Sequence, residues 1–273
     1  MNDNVENIEI QLLLEGMFQC YGFDFRHYAP ASLKRRIHHC MSQEQLHSVS
    51  ALQEKVLHDS ACMERCLLAL SINVTALFRD AGFYRAFREK IVPRLRTYPF
   101  IRIWHAGCSS GEEVYSLAIL LQEEGLYERT RLYATDVNEV VLARGRDGIY
   151  PLDKMKEYAQ NYAKAGGTRS LADYYTAQYD HAIFQASLKK NIVWSQHNLV
   201  TDGSFNDFHV ILCRNVMICF DQTLQAHVHQ LFYESLIPFG MLGLGQKESI
   251  KFSPHEACYE VLDSKEKWYK KTR

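Results

Sequence analysis

The chain has 273 residues, of which 47% are hydrophobic and 23% charged, enough for one large or two modest domains with real cores. Thirty-one basic residues against 32 acidic ones leave a net charge of -1, so no global field draws the protein to nucleic acid or an anionic membrane, and electrostatic recognition must be local. The opening MNDNVENIEIQLLLEG carries no basic n-region, and no uninterrupted apolar run reaches membrane-spanning length. Eight cysteines are scattered without a CxxC pair, which argues against a disulfide framework or zinc ribbon and for free thiols in a cytoplasmic protein.

The first hundred residues read as helical. Residues 6–20 place Ile10, Leu13, Leu14, Met17 and Phe18 on one face. A second helix is expected from Ser32 as N-cap, and a third between Glu44 and His58, where Leu46, Val49, Leu52 and Val56 recur at helical intervals. From Phe25 to Cys40 the chain carries Arg26, His27, Lys34, Arg35, Arg36, His38 and His39 with no acid among them. Lys34, Arg35 and His38 cover one arc of a helix, which suits an acidic partner surface and equally an ordinary solvated face.

SINVTALFRD, residues 71–80, interleaves Asn73 and Thr75 with apolar residues and is followed by what reads as a new helix holding Arg79. Its polar side suits a pocket wall, although a helix start capped by Thr75 explains it as well.

Strand, glycine turn and helix are legible in IRIWHAGCSSGEEVY, residues 101–115. Gly107 and Gly111 bracket small residues, allowing a ligand close to the backbone. The spacing departs from the dinucleotide fingerprint. Glu112 and Glu113 in the first helical turn would repel a pyrophosphate and welcome a cationic end. A second strand, Arg131 to Thr135, ends in Asp136, placed to take both hydroxyls of a ribose. A ribose without phosphate beside a cation-tolerant loop describes S-adenosylmethionine.

Val137 to Arg146 reads as a helix. Residues 152–200 then show tyrosine-rich polar stretches and the alternating runs Tyr175–Phe184 and Ile192–Leu199, which together suggest an antiparallel insert, either a flap or an edge for an extended peptide. The parallel pattern resumes with the strand FHVILC, residues 208–213, followed by Arg214-Asn215, a helix over Asp221–Ile237, a strand over Met241–Gly245 and a final strand at Lys267–Lys271. Asp136, Asn198 and Asn215 are all expected at the carboxyl edge of one sheet. His227 and His229 point to different helix faces and do not suggest a metal site.

In their order and spacing, SINVTALFRD, AGCSSGEEVYSLA, ATDVN and CRNVMICF resemble the chemoreceptor glutamate methyltransferases, the CheR family, and YGFDFRHYAPASLKRRI resembles the family's basic helical domain. The resemblance implies an all-α domain over 1–72, a Rossmann-like α/β methyltransferase domain over 73–273 and a β-subdomain inserted at 152–200. It further implies that Asn73, Thr75, Arg79, Gly107, Glu113, Asp136, Asn198, Leu199, Asn215 and Val216 line an S-adenosylmethionine site and that Arg79 lies near the acceptor. Asp136 would hold the ribose, Glu113 the cationic methionyl end, Arg79 the methionyl carboxylate, and the Asn198 and Asn215 strand ends the adenine. The expected acceptors are glutamates on the cytoplasmic helices of a chemoreceptor or similar signalling protein, with S-adenosylhomocysteine as second product and a receptor tail as a further partner for the insert. One position departs from the family: Cys219 stands where its members usually carry tyrosine, and a thiol is a shorter and weaker donor. That change keeps open a cofactor-binding regulatory module with weak or no transfer, beside a methyltransferase with a different acceptor.

Overall fold

The computed structural model describes residues 3–71 and 75–273. The chain divides into two compact units, Met1–Asn73 with Cys219–His227, and Val74–Ile218 with Val228–Arg273.

Helices α1 (Asp3–Tyr21), α2 (Pro30–Gln43), α3 (Val49–His58) and α4 (Ser60–Leu70) build the first unit. They bury Leu13, Leu14, Met17, Leu33, Ile37, Leu52, Val56 and Leu67 in one core, each side chain contributing about 1.5–3 kcal/mol relative to exposure. Two boundaries differ from expectation. Helix α2 starts at Pro30, whose fixed φ suits the first turn, so Ser32 lies inside the helix rather than capping it. Helix α3 starts after Ser48, whose hydroxyl accepts from the Ala51 N–H, leaving Leu46 in the preceding loop. The basic arc on α2 is partly neutralised within the unit, because Glu6 of α1 pairs with Lys34 at 2.7 Å and with His38 at 2.6 Å. Arg36 donates to the Leu70 carbonyl at the end of α4 at 2.7 Å, while Arg35 and His39 stand exposed.

The second unit opens with α5 (Ala81–Ala86), which runs through a π-turn at Phe87–Ile91 into α6 (Val92–Leu95). There follow β1 (Ile101–Ala106), α7 (Glu112–Glu123), β2 (Thr130–Asp136), α8 (Glu139–Asp147), β3 (Ile149–Pro151), α9 (Met155–Lys164), β4 (Tyr175–Gln178), β5 (His181–Phe184), α10 (Ala186–Lys189), β6 (Ile192–Gln196) and β7 (Phe208–Cys213). Helix α11 (Gln222–Ser235) and strands β8 (Leu236–Leu244), β9 (Tyr259–Asp263) and β10 (Trp268–Lys271) complete the chain.

Among the described residues a seven-stranded sheet has the order β6-β2-β1-β7-β8-β10-β9. It is parallel from β6 to β8 and antiparallel at β10 and β9. Every residue of β7 is buried, as a strand covered on both faces requires. The strand order reverses between β1 and β7, and at such a switch point the carboxyl ends of parallel strands leave a crevice for a ligand.

A separate antiparallel sheet, β3-β5-β4, forms the insert. The run from Ile192, which its alternation assigned to that insert, instead pairs in parallel with β2. As an edge strand β6 exposes much of one face, so its sequence alternates although its pairing is parallel. Helix α9 went unread in the sequence because its buried stripe is Met155, Tyr158 and Tyr162, and the tyrosines pass for a polar stretch.

Candidate functional site

The parallel pairing of β6, β2, β1 and β7 brings the segments after their carboxyl ends to one rim. Gly107, Asp136, Asn198 and Asn215 therefore share that edge, close in space though far apart in sequence.

At the centre lies the turn between β1 and α7. Gly107 has φ +78°, and a Cβ on it would come within 2.5 Å of Val216 Cγ2. Only glycine fits that approach between the two sides of the switch point. The N–H groups of Gly107 and Cys108 both donate to the Thr135 carbonyl at 2.9 Å. Asp136 then fixes the turn: Oδ2 accepts from the Ser109 N–H at 2.9 Å and Oδ1 from the Asn138 N–H at 3.1 Å. Burial pushes the Asp136 carboxyl above the usual aspartate range, and the backbone donors offset only part of that rise. The buried Ser109 hydroxyl oxygen has no hydrogen-bond partner among the described residues. A buried hydroxyl, a close-approach glycine and the buried carboxylate that ends β2, gathered around one turn, fit a ligand with a ribose such as S-adenosylmethionine.

On β6's side the rim is closed by a short turn. The Asn198 side-chain oxygen accepts from the Val200 N–H at 3.0 Å, and the Asn198 N–H donates to Asp202 at 2.8 Å. Leu199 is buried beside it. The His197 N–H donates to the Asp136 carbonyl at 3.1 Å and ties this turn to β2.

Arg79 is not on a helix, contrary to the sequence reading. It sits in a tight turn between Phe78 (φ +52°) and Asp80 (φ +59°), and α5 begins only at Ala81. Thr75 likewise precedes the turn, outside any regular element, and the cap position of α5 is Asp80 rather than Thr75. The turn is held from below, where the Phe78 N–H donates to Ser116 Oγ of α7 at 2.8 Å. Asn73 lies outside the described residues.

Sequence reasoning missed the side chain that organises this side of the rim. Arg214, directly after β7, donates to Glu113 Oε2 at 2.9 Å, to Asp80 Oδ2 at 2.9 Å and to the Arg79 carbonyl at 3.1 Å. Its guanidinium lies 4.0 Å over the Phe83 ring, and its side chain is 2% exposed. Such packing desolvates the charge, and the two carboxylates together with the ring face compensate it. Glu113 is held from the other side by His105 Nδ1 at 3.2 Å. Burial alone would raise the Glu113 pKa, but the His105 hydrogen bond and the Arg214 charge outweigh it and leave the carboxyl below its ordinary range. Both Glu113 oxygens are thus engaged inside the protein, one by His105 and the other by Arg214. A cation immediately after FHVILC, apolar except for His209, was the available signal, since a charge there is buried and must be paired.

Glu248 was also missed. It follows β8, is 5% exposed, and accepts from the N–H groups of Asn215 and Val216 at 2.9 Å and of Met217 at 2.8 Å. No local pattern in QKESI marks it.

Comparison with known proteins adds identity to this geometry. Residues 73–267 match the family described as CheR methyltransferase, SAM binding domain, and residues 8–71 match CheR methyltransferase, all-alpha domain. The chain is 48% identical over 266 residues to methyltransferase Cher3 of Pseudomonas putida, itself assigned only provisionally, with 97% of both chains covered. It is 28% identical over 236 residues to the chemotaxis protein methyltransferase of Listeria monocytogenes, covering 84% of this chain and 85% of that one. The corresponding figures for the chemotaxis protein methyltransferase of Salmonella typhimurium are 32% over 197 residues, with 70% and 65% covered. The chain therefore belongs to the CheR family of S-adenosylmethionine-dependent methyltransferases.

Proposed function

We propose that this methyltransferase esterifies glutamate side chains on the cytoplasmic helices of a chemoreceptor or a receptor-like signalling protein. The observation that carries the proposal is the match to both the all-α and the cofactor-binding family descriptions, together with relatives named chemotaxis protein methyltransferase. In this reading residues 1–72 form a helical domain that faces the acceptor, and the exposed Arg35 on α2 adds positive charge for an acidic receptor surface. Residues 73–273 form the methyltransferase domain. Its inserted sheet, β3-β5-β4, offers edge strands to which a receptor tail can add. Among the described residues no helix is long and apolar enough to cross a membrane, and the reaction is assigned to the cytoplasm, where such receptor helices lie.

Cofactor binding is assigned to Asn73, Thr75, Arg79, Gly107, Glu113, Asp136, Asn198, Leu199, Asn215 and Val216. Asp136 takes the ribose hydroxyls, the Gly107 turn admits the nucleoside, Asn198, Leu199, Asn215 and Val216 frame the base, and Arg79 with Glu113 meets the methionyl end. When bound, S-adenosylmethionine supplies an electron-poor methyl group on a sulfonium sulfur. A glutamate acceptor with a reference pKa of about 4.3 is already ionised at neutral pH, so no side chain here has to act as a base. The work of the rim is alignment in a site from which water is excluded, because opposite charges cancel as the acceptor oxygen takes the methyl group. Arg79 aligns the carboxylates, and it must not bind the acceptor so tightly in the ground state that the gain is lost.

Cys219, in place of the family's usual tyrosine, motivates a second reading, a cofactor-binding regulatory module that has lost transfer. Incubation with methyl-labelled S-adenosylmethionine and receptor cytoplasmic fragments separates the two. Base-labile label on the fragments is expected. Cofactor binding with no label on any receptor fragment would overturn transfer and favour the module.

A further inference from the structure

We infer that Glu248 is a positioning residue for cofactor binding, shaping from beneath the segment 215–217 that follows β7. The inference rests on the proposed assignment of Asn215 and Val216 to the cofactor site. Parallel pairing of β7 and β8, with Cys213 opposite Leu244, makes the two chain segments leave the sheet side by side. The Glu248 carboxylate then gathers four backbone donors: Gly245 N–H at 2.7 Å and Asn215 N–H at 2.9 Å on Oε2, with Val216 N–H at 2.9 Å and Met217 N–H at 2.8 Å on Oε1. Such charge-assisted bonds are the strong ones, and together they occupy both oxygens of a buried group.

The cluster does more than satisfy the loop. Asn215 stands at φ +62°, a left-handed conformation uncommon for non-glycine residues but one that asparagine adopts readily, and the Glu248 carboxylate bonds its N–H there. A Cβ on Gly245 would lie 2.5 Å from Glu248 Oε2 and 2.9 Å from the Asn215 N–H, so glycine is what lets the two segments close on the carboxylate. Val216, the middle residue, is the one whose methyl meets Gly107 across the switch point. Glu248 therefore sets both the backbone turn of Asn215 and the depth at which Val216 approaches the glycine turn, while touching no reacting atom itself. Its carboxyl is pushed above the ordinary glutamate range by burial, which the backbone donors only partly offset.

Calorimetry with S-adenosylhomocysteine tests this without an acceptor. In Glu248→Ala the dissociation constant is expected to rise at least tenfold with stoichiometry near one, because the loop is misshapen in molecules that remain folded. Glu248→Gln keeps one acceptor oxygen but turns an amide donor toward the other N–H groups, and its affinity should fall between wild type and Glu248→Ala. A purely structural role would instead lower the stoichiometry and leave the dissociation constant alone. If Glu248→Ala fails to fold, Glu248→Gln decides: an unchanged dissociation constant in that variant overturns the inference. Wild-type protein that takes up no S-adenosylhomocysteine would sink the site assignment itself, a different failure from unchanged affinity in the variants.

Discussion

Arg214 and Glu113, 101 positions apart in the chain, meet at 2.9 Å in a largely buried ion pair. Through Arg214's further bonds to Asp80 and to the Arg79 carbonyl, the helix after the glycine turn is joined to the loop that presents Arg79. The two sides of the rim are thereby one electrostatic assembly.

Removing the cation should be costly. Arg214→Ala leaves Glu113 and Asp80 without their partner and is expected to destabilise the second unit by about 3–5 kcal/mol. Urea denaturation followed by tryptophan fluorescence reads this directly, because all three tryptophans, Trp104, Trp194 and Trp268, lie in that unit. Arg214→Lys keeps the charge but loses the fork that reaches three acceptors, so it should recover only part of the loss. A midpoint within error of wild type for Arg214→Ala would contradict the assembly.

The pH dependence follows from the sign of the Glu113 shift. Its folded pKa lies below the unfolded value of 4.5, so its pairing stabilises the fold fully above that value and the stabilisation is lost as the pH falls through the folded pKa. Glu113→Gln should flatten the acid limb of the stability curve relative to wild type. Parallel acid limbs for the two proteins would show that the pairing contributes nothing.

Arg79 and Asp136 are expected to fail in different ways. Arg79→Ala should abolish methyl transfer to receptor fragments. Asp136→Ala removes both the proposed ribose acceptor and the anchor of the Ser109 and Asn138 N–H groups, and should weaken S-adenosylhomocysteine binding at least tenfold, or about 1.4 kcal/mol. Normal turnover by Arg79→Ala would remove it from the reaction, and unchanged affinity in Asp136→Ala would remove Asp136 from the ribose.

At the far end of α7, Glu123 fastens the insert. Its side chain is 2% exposed and accepts from the Tyr162 hydroxyl, from the Thr168 N–H at 3.0 Å and hydroxyl at 2.8 Å, and from the Tyr174 hydroxyl at 3.1 Å, with Arg88 paired to its other oxygen. Glu123→Ala should speed limited proteolysis between Gly166 and Arg169 and leave S-adenosylhomocysteine affinity unchanged. Cleavage at the wild-type rate would show that the insert is held by its apolar contacts alone.

The sequence by itself determined the local chemistry: an apolar strand ending in glycine, a helix starting in acids, an aspartate closing the second strand, and four motifs ordered as in the CheR family. These were legible because glycine turns, buried strands and helix starts are written within a few residues of chain. Only the tertiary structure decided that β6 belongs to the parallel sheet, that Arg79 sits in a left-handed turn before its helix, and that Arg214 and Glu248 hold the rim. Edge position gave β6 the alternation of an antiparallel strand, the Glu113 partner of Arg214 lies 101 positions away, and the Glu248 partners other than Gly245 lie 31 to 33 positions away. A buried charge is defined by what the fold packs around it, and that neighbourhood exists only once the strands have paired.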